Sequence, residues 1–296
     1  MMAGDATESR EYVAARRVLL DAIEALRPHQ QAVVLAGAQA IYLRTGPASL
    51  PIAEFTTDGD LTIDPALLTE APPLADLMTA AGFGLAVKEG AREPGIWEKV
   101  VVVEDVDIAV PVDLIVPADV APPGGRRGAR LTGHGRAAAR KIKGLEAALV
   151  DNDVMSIRSL EPDDGRSAQI RVAGIAALII AKAHKIADRI EGGRGDRLKD
   201  KDAADVIRLM QVRSPTAVAA KLRLLRSHVD AGASTTSGLV RFERLFGTRA
   251  GDGIEMAARS LRGSVPSERV RAICLAWTRE LNAALGDRQG HDARPS

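Results

Sequence analysis

A single cysteine, Cys274, stands in this chain of 296 residues, so no internal disulfide can form and a reducing compartment is expected. Its neighbours Ile273, Leu275 and Ala276 predict a core position rather than a nucleophile. Aromatics are scarce too, with four Phe, two Tyr and two Trp. The core must therefore be assembled from Ala, Val, Leu and Ile, and little flat surface is left for stacking on bases. No apolar run is long enough to span a bilayer, and the opening MMAGDATESREY lacks the apolar heart of a signal peptide. A cytoplasmic protein without a membrane partner is the expectation. Net charge is almost absent as well, with 40 basic residues against 39 acidic ones. Any nucleic-acid partner must then be recognised by local clusters of charge. There is no internal repeat, no Cys/His cluster at metal-ligand spacing and no Gly-rich P-loop.

The chain is long enough for one large domain or two ordinary ones. Ser9 is a plausible N-cap for a helix whose apolar residues recur from Tyr12 to Leu26, with a frayed segment before it and Pro28 as its stop. Ala32–Leu35 reads as a buried strand that runs into Ala36-Gly37-Ala38 and a helix to Leu43. Val- and Ile-rich segments at Leu85–Lys88, Trp97–Val103 and Val106–Val116 predict sheet, with Glu104-Asp105 as a turn. Leu145–Val150 reads as helix or strand. From Val172 onward the periodicity is helical. The expected organisation is α+β: a mixed sheet flanked by helices over 1–160, a helical domain over 170–288 and a disordered tail at 289–296.

The stretch FTTDGDLTID, Phe55 to Asp64, carries the most chemistry. Residues two apart on a strand share a face, so Asp58 and Asp60 would present two carboxylates side by side. Such a pair is costly without a cation between them, and a hard divalent ion with oxygen ligands is the natural one. A plain surface turn at Thr57-Asp58-Gly59-Asp60 accounts for the residues equally well. A third acid, Asp113, sits in the apolar strand PVDLIV, where it needs either an exposed edge or a cation.

Seven basic residues and no acid lie between Arg126 and Lys143: Arg126, Arg127, Arg130, Arg136, Arg140, Lys141 and Lys143. A run of this width can track a phosphate backbone, or be a solvated face. Further on, Lys182, Lys185 and Arg189 fall on one face of an Ala/Ile/Leu-rich helix, and lysines at such spacing usually mark the wet side. Asp200 and Asp202 open the next helix, where acids suit the helix dipole.

Together, VVLAGAQAIYLRTG, TTDGDL, VDLIV, ALIIAKAHKIADR and KDKDAADVIRLM resemble the nucleotidyltransferase superfamily, and within it the AbiEii/MenT-like toxins of type IV toxin–antitoxin systems. The resemblance spans about Val33 to Met210. It departs from the usual pattern at Ala36-Gly37-Ala38, where Gly-Gly or Gly-Ser is commoner, and at Gly59, where a β-branched residue is commoner. The resemblance implies a nucleotidyltransferase-like fold and Mg²⁺ held by Asp58, Asp60 and Asp113 on a nucleoside triphosphate substrate. It further implies that Thr57, Gly37 and Ala38 approach the phosphates, that Lys182 reaches the triphosphate with Lys185 and Arg189 beside it, and that Asp202 orients Lys182 or a substrate hydroxyl. The implied acceptor is the 3′ end of tRNA, docked on the basic run, with aminoacylation blocked as the toxic outcome. A separately encoded antitoxin is the implied partner and leaves no mark in this chain. Two other functions stay open: nucleotide transfer to a small molecule or a protein hydroxyl, and a non-catalytic RNA- or partner-binding module.

Overall fold

The structure is a computed structural model that describes residues 9–46, 56–193 and 200–286. The frayed start, Phe55, most of the glycine-rich stretch before Asp200 and the expected tail at 289–296 lie outside the described residues. The fold is α+β, a mixed sheet flanked by helices and followed by helices toward the carboxy terminus.

Chain contacts divide the molecule into two compact units. The first comprises 1–40, 53–142 and 153–172; the second takes 41–52, 143–152 and everything from Ala173. In the first unit, helix α1 (Arg10–Ala25) is capped by Ser9, whose side chain accepts the Tyr12 N–H at 3.2 Å. Pro28 then enters a short 3₁₀ turn, Arg27–Ala32, in place of a further α-helical turn. Strand β1 (Val33–Ala36) leads directly into helix α2 (Gly37–Thr45), and β2 (Gly59–Ile63) returns antiparallel to β1. After α3 (Leu74–Ala80) come β3 (Gly84–Lys88), β4 (Ala91–Val103) and β5 (Val106–Pro117), an antiparallel meander. Strand β4 begins six residues earlier than Trp97, because Ala91 and Arg92 pair with Lys88 and Val87 across a tight turn.

Four short elements follow in sequence: β6 (Arg140–Ile142), α4 (Glu146–Val150), which falls in the second unit, and the strands β7 (Asn152–Arg158) and β8 (Ser167–Ala173). Leu145–Val150 thus resolves as helix. Strand β8 lies parallel to β1 and takes Val172 and Ala173 away from the following helix. Its short apolar content merges in the sequence with the helical run behind it, so periodicity alone could not separate them. The strand order is β3-β4-β5-β2-β1-β8-β7, with β6 added to β5. Helix α1 packs across β4, β5 and β2, burying Val18 and Leu19 completely.

Beside α4, the second unit is built from α5 (Ile175–Glu191), α6 (Lys201–Val212), α7 (Pro215–Arg226), α8 (Gly232–Phe246), α9 (Asp252–Ser260) and α10 (Ser267–Gly286). Helix α5 packs on α6 and α8, and α10 on α7 and α9. Cys274 is fully buried in this unit, and burial pushes its thiol up to about 12. That is the state of a core residue.

Candidate functional site

Parallel pairing of β2 with β5 sets Asp60 directly opposite Asp113, with Leu61 opposite Leu114 in the next position. Partners in register point to the same face, so residues 53 positions apart in sequence stand as neighbours on one side of the sheet. Asp58 lies two residues before Asp60, ahead of the strand, and its carboxylate accepts the Thr56 hydroxyl. Thr57 is exposed.

Gly37 begins α2 with φ +65°, a left-handed conformation that favours glycine. A β-carbon there would overlap the Oδ2 atom of Asp60. The Asp60 carboxylate therefore rests against the start of α2, between the strand that carries it and the helix backbone, and the buried Ala38 follows. A carboxylate so placed is favoured by the N-terminal end of the helix dipole.

Two residues that sequence reasoning passed over support this face from beneath. Arg16 of α1 is buried and donates to Gln39 Oε1 at 2.7 Å, to the Tyr12 hydroxyl at 2.7 Å and to the Arg158 carbonyl at 3.0 Å. Gln39 in turn donates to the Asp58 carbonyl at 3.2 Å. The available signal was a single arginine among the apolar positions of α1 and a glutamine within the small-residue turn, neither of which reveals its partner.

Asp113 is buried and forms an ion pair with Arg140, whose Nη2 donates to its Oδ2. Arg140, expected among the nucleic-acid contacts, is thus turned toward the acids. Lys141 is engaged within the fold as well, donating to the carbonyls of Gly124 at 2.9 Å and Gly125 at 2.6 Å. Arg126, Arg127, Arg130 and Arg136 are exposed, and Arg127 lies 3.5 Å from Glu93. Lys143 is also exposed but belongs to the second unit. His134, among these cations, is buried: its Nδ1 accepts the Leu74 N–H at 3.1 Å and its Nε2 donates to the Thr69 carbonyl at 2.8 Å. Burial lowers its pKa from the usual 6.5.

The second unit holds a charge cluster within itself. Lys182 of α5 is buried, and its Nζ donates to Asp202 Oδ1 at 2.6 Å and to Asp205 Oδ2 at 2.7 Å, both on α6. Lys185 stands 3.6 Å from Asp202, and Arg189 bonds its other oxygen. The three cations share a face, and that face meets α6; it is not the wet side of α5. Burial alone would pull the Lys182 pKa down, but the Asp202 and Asp205 carboxylates outweigh it and hold the ammonium above its ordinary value. Burial likewise opposes ionisation of Asp202, and Lys182, Lys185 and Arg189 overcome it, holding Asp202 below the usual carboxylate range. Asp205, in the KDKDAADVIRLM stretch that carries the resemblance, was given no role there, although its spacing of three from Asp202 places both on one face of α6.

All-oxygen donors suit a hard cation such as Mg²⁺, and Asp58, Asp60 and Asp113 are such donors. Among the described residues no three His, Cys, Asp or Glu side chains close into a metal-holding group, and Asp113 is turned to Arg140. Asp58 and Asp60 would be the oxygen donors to hold such an ion. Among the described residues no helix is long and apolar enough to cross a membrane. No protein-family model matches this chain, and no curated protein sequence matches it.

Proposed function

We propose that this chain is a Mg²⁺-dependent nucleotidyltransferase that moves nucleotides from a nucleoside triphosphate to the 3′ acceptor end of tRNA. In this reading it inhibits growth by blocking aminoacylation, in the manner of the AbiEii/MenT-like toxins it resembles, and its sheet is a nucleotidyltransferase-like one. The observation that carries the reading is the register of Asp60 against Asp113 on parallel strands, with the Asp60 carboxylate seated on Gly37 where a β-carbon would stand. Acids are thus gathered beside a helix N-terminus, a place where backbone N–H groups favour phosphate.

Mg²⁺ held by Asp58 and Asp60 would supply the charge neutralisation that lets a triphosphate approach carboxylates. The chain's own residues do the rest of the positioning. Gly37 gives the Asp60 carboxylate its place at the start of α2, Arg16 and Gln39 fix the backbone at Asp58, and Asp113 orients the attacking hydroxyl from the neighbouring strand. The exposed Arg126, Arg127, Arg130 and Arg136 offer the tRNA backbone its cations. The Lys182–Asp202–Asp205 cluster holds α5 to α6 in the second unit.

The deciding experiment incubates the purified chain with each labelled nucleoside triphosphate, Mg²⁺ and total tRNA. Label at the 3′ end of tRNA is expected, and its loss in Asp60→Asn with an unaltered melting curve. Label on a small molecule or on protein instead would move the acceptor, and no transfer to anything would overturn the reading.

A further inference from the structure

At the junction of β4, β5 and β6 one arginine is committed to the acidic face. Strand β4 pairs with β5 as far as Ile96 opposite Asp113; beyond that point β6 takes over, with Arg140 opposite Ile115. Gly95, with φ +72°, makes the exchange possible, since a β-carbon there would collide with the Arg140 backbone nitrogen and lie 2.6 Å from the Leu114 carbonyl. Ile115 is two residues beyond Asp113 and therefore shares its face. Asp60, Asp113 and Arg140 are in this way brought to one side of the sheet by backbone pairing alone.

A guanidinium carries five N–H donors in a planar fork. Arg140 gives Nη2 to Asp113, while its Nε is buried and has no acceptor among the described residues. The side chain is 29% exposed, so solvent reaches part of it. A buried donor without an acceptor is unfavourable by about 1–3 kcal/mol, and a fork with donors to spare suits the oxygens of a phosphate. Lys182 is already engaged by Asp202 and Asp205 of α6.

We propose that Arg140 is a phosphate-binding residue of the acidic face, holding Asp113 with one edge of its guanidinium and taking an oxygen of the nucleotide's phosphate chain with the remaining donors. This rests on the nucleotidyltransferase reading and adds to it a residue that the resemblance does not supply. The test is calorimetric titration of the full chain with inorganic tripolyphosphate and with each nucleoside triphosphate, in Mg²⁺. Tripolyphosphate isolates the phosphate contact from any contact to base or sugar. The wild type is expected to bind both, Arg140→Gln to bind both at least tenfold more weakly, and Arg140→Lys to lose at least threefold because an ammonium lacks the fork. A cooperatively melting Arg140→Gln chain that binds within twofold of wild type would overturn the proposal. If Arg140→Gln does not fold, Arg140→Lys decides, and affinity within twofold of wild type overturns it. A wild-type chain that binds neither probe would instead remove the nucleotidyltransferase reading itself, and this inference with it.

Discussion

The carboxylate of Asp60 occupies the space that a β-carbon on Gly37 would need. A strand acid and a helix-initiating glycine, 23 positions apart, are thereby linked, since any side chain added at Gly37 must displace the Asp60 carboxylate.

Gly37→Ala should therefore damage the acidic face from the helix side. The left-handed backbone conformation costs a non-glycine residue about 1–2 kcal/mol, and the added methyl must push Asp60 aside. We expect a lower melting temperature together with loss of nucleotide transfer. Asp60→Asn, which is nearly isosteric, should lose transfer with little thermal change. Differential scanning calorimetry of both variants beside the transfer assay checks this, and a wild-type melt in Gly37→Ala would contradict the geometry.

Lys182→Ala is a stability variant before it is a catalytic one. Removing the ammonium leaves Asp202 and Asp205 buried without their shared donor, and breaking a buried pair from one side costs about 3–5 kcal/mol. Urea denaturation should show that loss. Replacing all three residues together, with Lys182→Met, Asp202→Asn and Asp205→Asn, should recover a large part of it. Equal stability of Lys182→Ala and wild type would show that the cluster contributes nothing to the fold.

His134 should make stability fall on mild acidification. Its folded-state pKa lies below the unfolded 6.5, through burial and the His29 ring at 5.3 Å, so below pH 6.5 the unfolded chain binds more protons than the folded one. The stabilisation is complete above the unfolded value and is lost as pH falls through the folded one. His134→Gln should melt lower at pH 7.5 and show a smaller drop between pH 7.5 and 5.5 than wild type. Parallel drops in both proteins would exclude His134 as the titrating group.

Charge reversal at Arg126, Arg127 and Arg130 should weaken RNA binding and flatten its dependence on salt. Each lost phosphate contact lowers the log–log slope by about 0.7 for single-stranded nucleic acid, so three contacts amount to roughly 2. Fluorescence anisotropy across a salt titration measures the slope directly. An unchanged slope would mark these exposed arginines as a solvated face.

The local features were legible in the amino-acid order because they depend on near neighbours. Ser9 as a cap, the break at Pro28, the valine-rich strands around Glu104-Asp105 and the burial of Cys274 all follow from interactions within a few residues. So did the shared face of Lys182, Lys185 and Arg189, which helical geometry alone dictates. Strand β8 was lost to the sequence because a short apolar stretch beside a helix carries no period of its own. What each charge meets was decided by tertiary structure. Asp113 faces Asp60 because β2 and β5 pair in parallel, Arg140 turns from solvent to Asp113 because β6 replaces β4 at Gly95, and Lys182 is enclosed because α6 folds its acids against α5. Periodicity says which residues share a face; only the packing of distant segments says what that face is pressed against.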